Sequence, residues 1–265
     1  MKASRRSLVA AAVPAVLLAS LLSGSAGAGG SAVVASGLDN PRGIDIGADG
    51  RIAVAEAGAG RIVRIRAGSV TPLVGGLPTA TSPEGETTGP VNVALTGRAT
   101  VFSLIGEGPK PVDSRFASLL RTGRPGKLTV DIAGYQAGDP DPADQDGNAV
   151  ESNPYGLAAV GNGKVLVTDA ANNDLLLVGP RGGVQTVARI PLHMVSMAHL
   201  GNPNLVPAEA VPTTVAVGPD GYWYVGELTG FPFTPEASRI WRIAPWARNA
   251  TCDDDTSDGC ALLVP

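Results

Sequence analysis

The chain has 265 residues, of which 44% are hydrophobic and 17% are charged, and its formal net charge is −4. This composition excludes an intrinsically disordered chain and allows either two ordinary domains or one large all-β domain. The 35 glycines and 22 prolines are spread between short apolar stretches rather than clustered, which indicates turns between many strands.

The N-terminus is typical of an export signal. Lys2, Arg5 and Arg6 form a basic region, an apolar run follows over residues 8–22, and small residues then match a cleavage site. We therefore predict a signal peptide over residues 1–28 and a secreted protein. The apolar run is short for a spanning helix, so we expect no stable membrane anchor. A Sec signal and a twin-arginine signal both fit this segment.

The charge balance limits the partners. Removing residues 1–28 takes away three positive charges and no acids, which moves the net charge from −4 to −7. An acidic exported protein argues against nucleic acid and anionic membranes as partners. We expect a small molecule or a protein of unknown identity instead.

A repeat organises the chain. NPRGIDIGADGRIAVAEAGAGRIVRI begins at Asn40, NPYGLAAVGNGKVLVTDAANNDLLLV begins at Asn153, and VPTTVAVGPDGYWYVGELTG begins at Val211. In each copy a proline opens an apolar run, a Gly-rich turn follows, and an acid closes the second run fifteen residues after the proline. A fixed internal period indicates the architecture, and Asp-Gly turns between apolar runs are typical of β-hairpins.

Four-stranded units with this pattern predict an all-β fold, a β-propeller of four-stranded blades and of the six-bladed type. We assign the propeller to residues 29–265, with blades at about 40–77, 89–133, 153–191 and 211–265. Residues 31–36 are predicted to be an orphan strand that closes a ring. With only four blades beside it, we expect the C-terminal part of the ring to be missing. The alternative is a complete four-bladed ring, which would be a monomer.

Long insertions are confined to two kinds of connection. Those between the last strand of one blade and the first strand of the next are 78–89, 134–152 and 192–210, and those between second and third strands are 106–115 and 228–238. Both kinds emerge on the same face of an up-and-down blade. Elaborated loops on one side of a rigid scaffold indicate a binding face. At the start of the first strands, its candidate ligand-binding residues are Arg42, Asn92, Tyr155 and Thr213.

Three acids, Glu56, Asp169 and Glu227, close the second strand of their blades. They are candidates, with Asn153, for a divalent-cation site that would hold Ca²⁺. The other interpretation is that each acid caps backbone amides at the following corner. Because the acid repeats in register, the capping interpretation is favoured, and no other cofactor is predicted.

Two Asp-rich segments, 139–147 and 253–259, match calcium loops in part, although solvated acidic loops fit them better. The histidines, His193 and His199, are six residues apart, which is a poor spacing for a shared metal. No serine lies in a GxSxG setting, so triad hydrolysis has no support. We predict no catalytic residue.

The cysteines are Cys252 and Cys260. In an oxidising compartment such a close pair is most simply one disulfide that closes a small loop. A metal or redox site would need further ligands or CxxC spacing, and the sequence has neither.

With this layout the chain resembles the ScyD/ScyE family of secreted bacterial proteins, named for an association with pigment biosynthesis loci in cyanobacteria. More distantly it is similar to NHL-repeat and gluconolactonase-type six-bladed propellers. The resembling segments are GLDNPRG at 37–43, SNPYGL at 152–157, TDA at 168–170, NND at 172–174 and GPDG at 218–221. The family brings no established catalytic residues to carry over.

Two functions follow as expectations. The first is a secreted propeller that binds a ligand or a partner protein without catalysis. The alternative, implied by the gluconolactonase resemblance, is a metal-dependent, lactonase-like hydrolase. Its candidate residues are Glu56, Asn153, Asp169 and Glu227.

Overall fold

The computed structural model describes residues 32–145, 147–252 and 258–264. Its main sheets each contain four antiparallel strands in chain order, and one of these sheets has a fifth, parallel strand. Four such sheets are arranged as the blades of a β-propeller, so the predicted fold is confirmed. The predicted signal peptide, residues 1–28, lies outside the described residues.

Blade 1 and the first insertion follow the predicted layout closely. The strands of blade 1 are Pro41–Ile46 (β1), Ile52–Glu56 (β2), Arg61–Arg66 (β3) and Ser69–Val74 (β4). The insertion at 78–89 contains a small hairpin, formed by Ala80–Thr81 (β5) and Thr87–Thr88 (β6).

Blade 2 is a complete blade despite its weaker sequence pattern. Its strands are Pro90–Thr96 (β7), Thr100–Ile105 (β8), Ser118–Thr122 (β9) and Leu128–Asp131 (β10). The short helix α1, Ile132–Gln136, follows directly and is capped by the Asp131 side chain. Among the described residues, no helix has the length and apolar character needed to span a membrane.

Blade 3 consists of four antiparallel strands that are consecutive along the chain. Its strands are Pro154–Gly161 (β11), Lys164–Asp169 (β12), Asp174–Val178 (β13) and Val184–Arg189 (β14). A second hairpin follows in the insertion at 192–210 and consists of His193–Ser196 (β15) and Leu205–Ala208 (β16), with a 3-10 turn at Ala198–Leu200 between them.

Blade 4 is interrupted before its last strand. Its first three strands are Pro212–Val217 (β17), Trp223–Glu227 (β18) and Ile240–Ile243 (β19), and its last is Cys260–Val264 (β21). Between them Ala250–Thr251 (β20) pairs in parallel with β14, at the outer edge of blade 3. The predicted disulfide between Cys252 and Cys260 is confirmed, and it joins the end of β20 to the start of β21.

The Asp-Gly turns form the tight reversals that the sequence predicts. In blade 1 the amide of Gly50 donates to Gly47 O at 2.8 Å, and Gly50 has a φ of 76°. In blade 4 Gly221 donates to Gly218 O at 3.0 Å with a φ of 80°. This left-handed backbone favours glycine, which explains why glycine closes both turns.

Apolar contacts between neighbouring blades form the core. Val93, Leu157 and Val215 each stand three residues after the proline that opens their blade, and each is at most 8% exposed because it packs on the preceding blade. The equivalent residue of blade 1, Ile44, is 62% exposed. The innermost strands β1, β7, β11 and β17 together line a cavity of about 340 Å³.

The predicted orphan strand at 31–36 is wrong for the residues that the structure describes, because residues 32–38 form no strand. A strand needs a partner edge, and residues 32–38 pair with no described strand. Instead Ala35 and Leu38 pack on a buried apolar cluster of blade 1, which consists of Val54, Val63 and Ile65. The six-bladed type stays a prediction.

Candidate functional site

The proline and the acid of each repeat are direct partners across the first two strands. Pro41 pairs with Glu56, Pro154 with Asp169, and Pro212 with Glu227. In blade 2 Pro90 pairs with Ile105 in the same register, so an apolar residue takes the place of the acid. Each acid is therefore held at the same corner of its blade.

Glu56 secures the chain where it enters blade 1. Its Oε1 accepts the Asp39 amide at 2.7 Å, and its Oε2 accepts Arg61 Nε. The Glu56 side chain is fully buried. Burial favours the neutral acid, but the hydrogen bonds from Arg61 and from the Asp39 amide, together with the charge of Arg61, outweigh it and lower the pKa of Glu56.

Asp169 secures the chain in the same way where it enters blade 3. Its Oδ1 accepts the Asn153 amide at 2.7 Å and the amides of Ala171 and Asn172 at 3.2 and 3.3 Å. Its Oδ2 accepts the Ser152 hydroxyl at 2.6 Å. These contacts agree with the capping interpretation of the repeated acid.

A second buried acid, Asp174, lies beside Asp169 and was not singled out by the sequence. Gln136, at the end of α1, donates through Nε2 to Asp169 Oδ2 at 3.3 Å and to Asp174 Oδ1 at 3.1 Å. Arg189 Nη1 is 3.9 Å from Asp174 Oδ2. Burial, reinforced by the charge of Asp169, raises the pKa of Asp174 well above its usual value.

Glu227 is buried in blade 4 beneath the β15–β16 hairpin. Its Oε2 accepts Trp241 Nε1 at 2.9 Å, and its Oε1 accepts Thr229 Oγ1 at 3.3 Å. His193 Nε2 lies 3.5 Å from the same Oε1. Burial raises the pKa of Glu227 and lowers that of His193, so each group is driven towards its neutral form.

The four predicted metal ligands do not assemble into one site. Asn153 adjoins Asp169, whereas Glu56 and Glu227 belong to blades 1 and 4 and are engaged by donors there. Across residues 32–145, 147–252 and 258–264, no group of three or more His, Cys, Asp or Glu side chains is placed to hold a metal ion. As packed, these residues do not fit a shared Ca²⁺ ion.

The Asp-rich segment at 139–147 uses its carboxylates within the protein. Asp144 accepts the amides of Gly147 and Asn148 at 3.0 and 3.2 Å. Asp141 accepts Asn173 Nδ2 at 2.9 Å. Asp146 and residues 253–257, which belong to the predicted calcium loops, lie outside the described residues.

The starts of the innermost strands approach one another through the predicted ligand-face residues. Asn92 Nδ2 donates to Tyr155 O at 3.1 Å, which links blades 2 and 3. Asn92 also fills the space beside Gly43, where an added Cβ atom would lie 2.4 Å from Asn92 Oδ1. Thr213 O lies 3.1 Å from the position of a Cβ atom at Gly156.

Arg42, the fourth predicted residue, lines a separate cleft of about 1040 Å³ on the same face. One wall is the β5–β6 hairpin, and another is the loop after β8, so two predicted insertions meet here. Arg42 Nη2 donates to Thr87 O at 3.2 Å. Asn92, Tyr155 and Thr213 do not line this cleft.

Glu107 contributes the acid of the opposite wall. Its amide lies 3.5 Å from Asn153 Oδ1, and its carbonyl accepts the Thr88 hydroxyl. Partial burial raises the pKa of Glu107, and the carboxylates of Glu151 and Asp169 raise it further. The sequence did not single out Glu107, because nothing in its own segment indicates which loops will meet.

No protein-family model and no curated protein matches the chain. Solved structures do resemble it. An inactive variant of virginiamycin B lyase from Staphylococcus aureus, determined with quinupristin, is 14% identical with a TM-score of 0.50, over 85% of this chain and 55% of that chain. A gluconolactonase from Xanthomonas campestris is 16% identical with a TM-score of 0.45, over 85% of this chain and 72% of that chain.

The first of these likenesses, with a TM-score of 0.50, shows the fold alone. A streptogramin B lyase structure is 14% identical with a TM-score of 0.46, over 78% of this chain and 52% of that chain. The chain thus spans about half the length of the two lyase structures.

Proposed function

We propose that the protein is a binding propeller that holds a small polar ligand in the cleft between Arg42, the β5–β6 hairpin and the loop of Glu107. The observation that carries this proposal is the cleft itself. Both kinds of inserted connection form its walls on one face of a rigid scaffold, which is where propellers and similar folds place their binding residues.

The chemistry of the walls favours a polar ligand. The lining side chains include the hydroxyls of Thr81, Ser82, Thr87 and Thr88, the cation of Arg42, and the carboxylates of Glu86 and Glu107. Among the described residues that line the cleft, none is aromatic. A ligand that carries hydrogen-bonding and charged groups would match these walls better than an apolar one.

The walls are held in place before any ligand arrives. The hairpin is tied to blade 1 by Thr79 Oγ1, which donates to Ala57 O at 2.7 Å. It is tied to Arg42 through Thr87 and to the opposite loop through Thr88 and Glu107. A preformed site loses less conformational entropy on binding, which supports binding of a small molecule.

The lactonase-like alternative has no comparable support. Glu56, Asp169 and Glu227 are engaged by donors of their own blades. We further propose that the protein is exported, since a disulfide persists in oxidising compartments. Membership of the ScyD/ScyE family and the six-bladed type remain predictions.

A thermal-shift screen tests the binding function. The panel contains sugars, hydroxy acids, lactones, amino acids and short peptides. Thr81→Trp fills the cleft, and Thr71→Trp is the matched control because Thr71 is also exposed, on β4 outside the cleft. We expect at least one compound to raise the Tm of the wild type and of Thr71→Trp but not of Thr81→Trp. Equal stabilisation of all three proteins, or of none by any compound, would reject the proposal.

A further inference from the structure

Charged side chains of both signs line the cleft without a counter-ion among the described residues. The Arg42 guanidinium makes one hydrogen bond, to the neutral carbonyl of Thr87, and forms no ion pair within residues 32–145, 147–252 and 258–264. That bond orients the planar group at the wall of the cleft. A guanidinium held in this way is suited to a carboxylate, because its remaining N–H donors match the two carboxylate oxygens.

The other charge is the Glu107 carboxylate. The protein uses only the backbone of Glu107, through Asn153 and Thr88. In the part of the chain that the structure describes, no side chain donates to its carboxylate. The carboxylates of Glu151 and Asp169 act on it unfavourably. A positively charged ligand group would relieve that repulsion, and an ammonium group supplies both charge and hydrogen-bond donors.

The two cations of the loop that carries Glu107 do have counter-ions in the protein. Arg115 pairs with Asp113 at 2.6 Å, and Lys110 pairs with Asp131 at 2.7 Å. Both cations belong to the loop that carries Glu107, yet they are committed to other acids. The protein thus neutralises these two cations, whereas Arg42 and the carboxylates of Glu86 and Glu107, which line the cleft, form no ion pair within the described residues. Of these two acids, Glu107 is the one on which the charges of Glu151 and Asp169 act.

We propose that the cleft binds a zwitterionic ligand, an amino acid or a short peptide, whose carboxylate pairs with Arg42 and whose ammonium group pairs with Glu107. This inference rests on the proposed binding function and specifies its ligand class. The cleft volume of about 1040 Å³ is large enough for a ligand of several residues. The hydroxyls of the hairpin would then accept and donate to the peptide backbone.

Isothermal titration calorimetry with three peptides tests the proposal on the full chain. The probes are trialanine, N-acetyl-trialanine and trialanine amide. We expect the wild type to bind trialanine at least about tenfold more tightly than either blocked peptide, as for loss of a charge-assisted hydrogen bond. Arg42→Gln should bind trialanine and its amide equally, and Glu107→Gln should bind trialanine and its acetylated form equally. Glu86→Gln, which removes the other carboxylate of the cleft, should keep the wild-type preferences.

Three results would overturn the zwitterion proposal. They are no binding of trialanine by the wild type, equal binding of all three peptides, or wild-type preferences in both Arg42→Gln and Glu107→Gln. The proposed function is tested separately by the screen with Thr81→Trp. A non-peptide compound that binds the wild type and is excluded by Thr81→Trp would reject the zwitterion and keep the cleft as the binding site.

Discussion

Asp169 and Asp174 are direct partners on β12 and β13, and both side chains are fully buried. Gln136 Nε2 is shared between their carboxylates. Burial raises the pKa of both acids, and the charge of Asp169 adds to the effect on Asp174. Blade 3 is therefore destabilised by this pair when both acids are charged.

Asp174→Asn is expected to stabilise the protein at neutral pH. A carboxyl whose folded pKa is raised contributes stability below its unfolded pKa, and that contribution is lost as pH rises through the folded pKa. The amide keeps an acceptor for Gln136 and removes the charge, so we expect a gain of roughly 1 to 4 kcal/mol at pH 8. Urea unfolding at pH 8 and pH 4 measures it, and the gain should shrink at pH 4.

Asp169→Asn is the matched control for that experiment. Asp169 Oδ1 accepts three backbone amides, and asparagine keeps that oxygen, but its NH2 group would replace Oδ2 and face the donor Gln136 Nε2. We expect a loss of about 1 to 3 kcal/mol at pH 8. A destabilised Asp174→Asn at pH 8, or equal effects of the two variants, would contradict this account.

Glu56→Gln should show the opposite dependence on pH. The pKa of Glu56 is lowered in the folded state, because Arg61 and the Asp39 amide together outweigh the effect of burial. Its stabilisation is therefore present above the unfolded pKa and is lost as pH falls through the folded pKa. We expect Glu56→Gln to cost about 1 to 3 kcal/mol at pH 7, with a smaller deficit in acid.

Urea unfolding of Glu84→Gln provides the comparison. Glu84 is exposed, so its change should stay within about 0.5 kcal/mol of the wild type at both pH values. A Glu56→Gln deficit that does not change with pH would show that the charge of Glu56 is not what stabilises the start of blade 1.

Gly43→Ala is expected to disturb the contact between blades 1 and 2. The added Cβ atom would lie 2.7 Å from Asn92 Cα, so backbone must move. We expect a loss of roughly 1 to 3 kcal/mol in urea unfolding, as for other overpacked sites. Gly75→Ala is the control, because nothing lies within 4 Å of its Cβ position. Equal stability of the two variants would mean that Asn92 can move away from the added Cβ atom at little cost in stability.

Removing the disulfide should destabilise the protein. Cys252 and Cys260 are 8 residues apart, and closing a loop of that length stabilises a fold by about 2 to 3 kcal/mol. The double change Cys252→Ser and Cys260→Ser should cost that amount in urea unfolding. The amide of residue 252, which donates to Arg189 O at 2.8 Å, should also exchange faster. An unchanged exchange rate there would show that β20 holds its place without the disulfide.

The blades were predictable because their signals are local. A proline, an Asp-Gly turn and alternating apolar residues specify a hairpin without reference to the rest of the chain. Even blade 2 keeps the register, with Ile105 opposite Pro90. The strand predicted at 31–36 is wrong because a short apolar run says nothing about whether partner strands lie beside it.

The candidate site was only partly predictable, because sequence signals are local and most of its contacts are not. Arg42 was predicted as a candidate because it follows a repeated proline. Glu107 and Gln136 act through contacts with residues far along the chain, from Thr88 to Asp174, and neither lies in a repeated motif. His193 meets Glu227 only because the β15–β16 hairpin folds over blade 4. Local sequence patterns carry no information on contacts between residues that are far apart along the chain.

The path of β20 has a consequence for how the molecule opens. The chain leaves blade 4, adds a strand to the edge of blade 3, and returns to its own sheet through a covalent link. Blades 3 and 4 therefore cannot move apart unless β20 leaves the edge of blade 3. We expect blades 3 and 4 to open as one cooperative unit, whereas blades 1 and 2 are joined by packing and hydrogen bonds alone and can open one at a time.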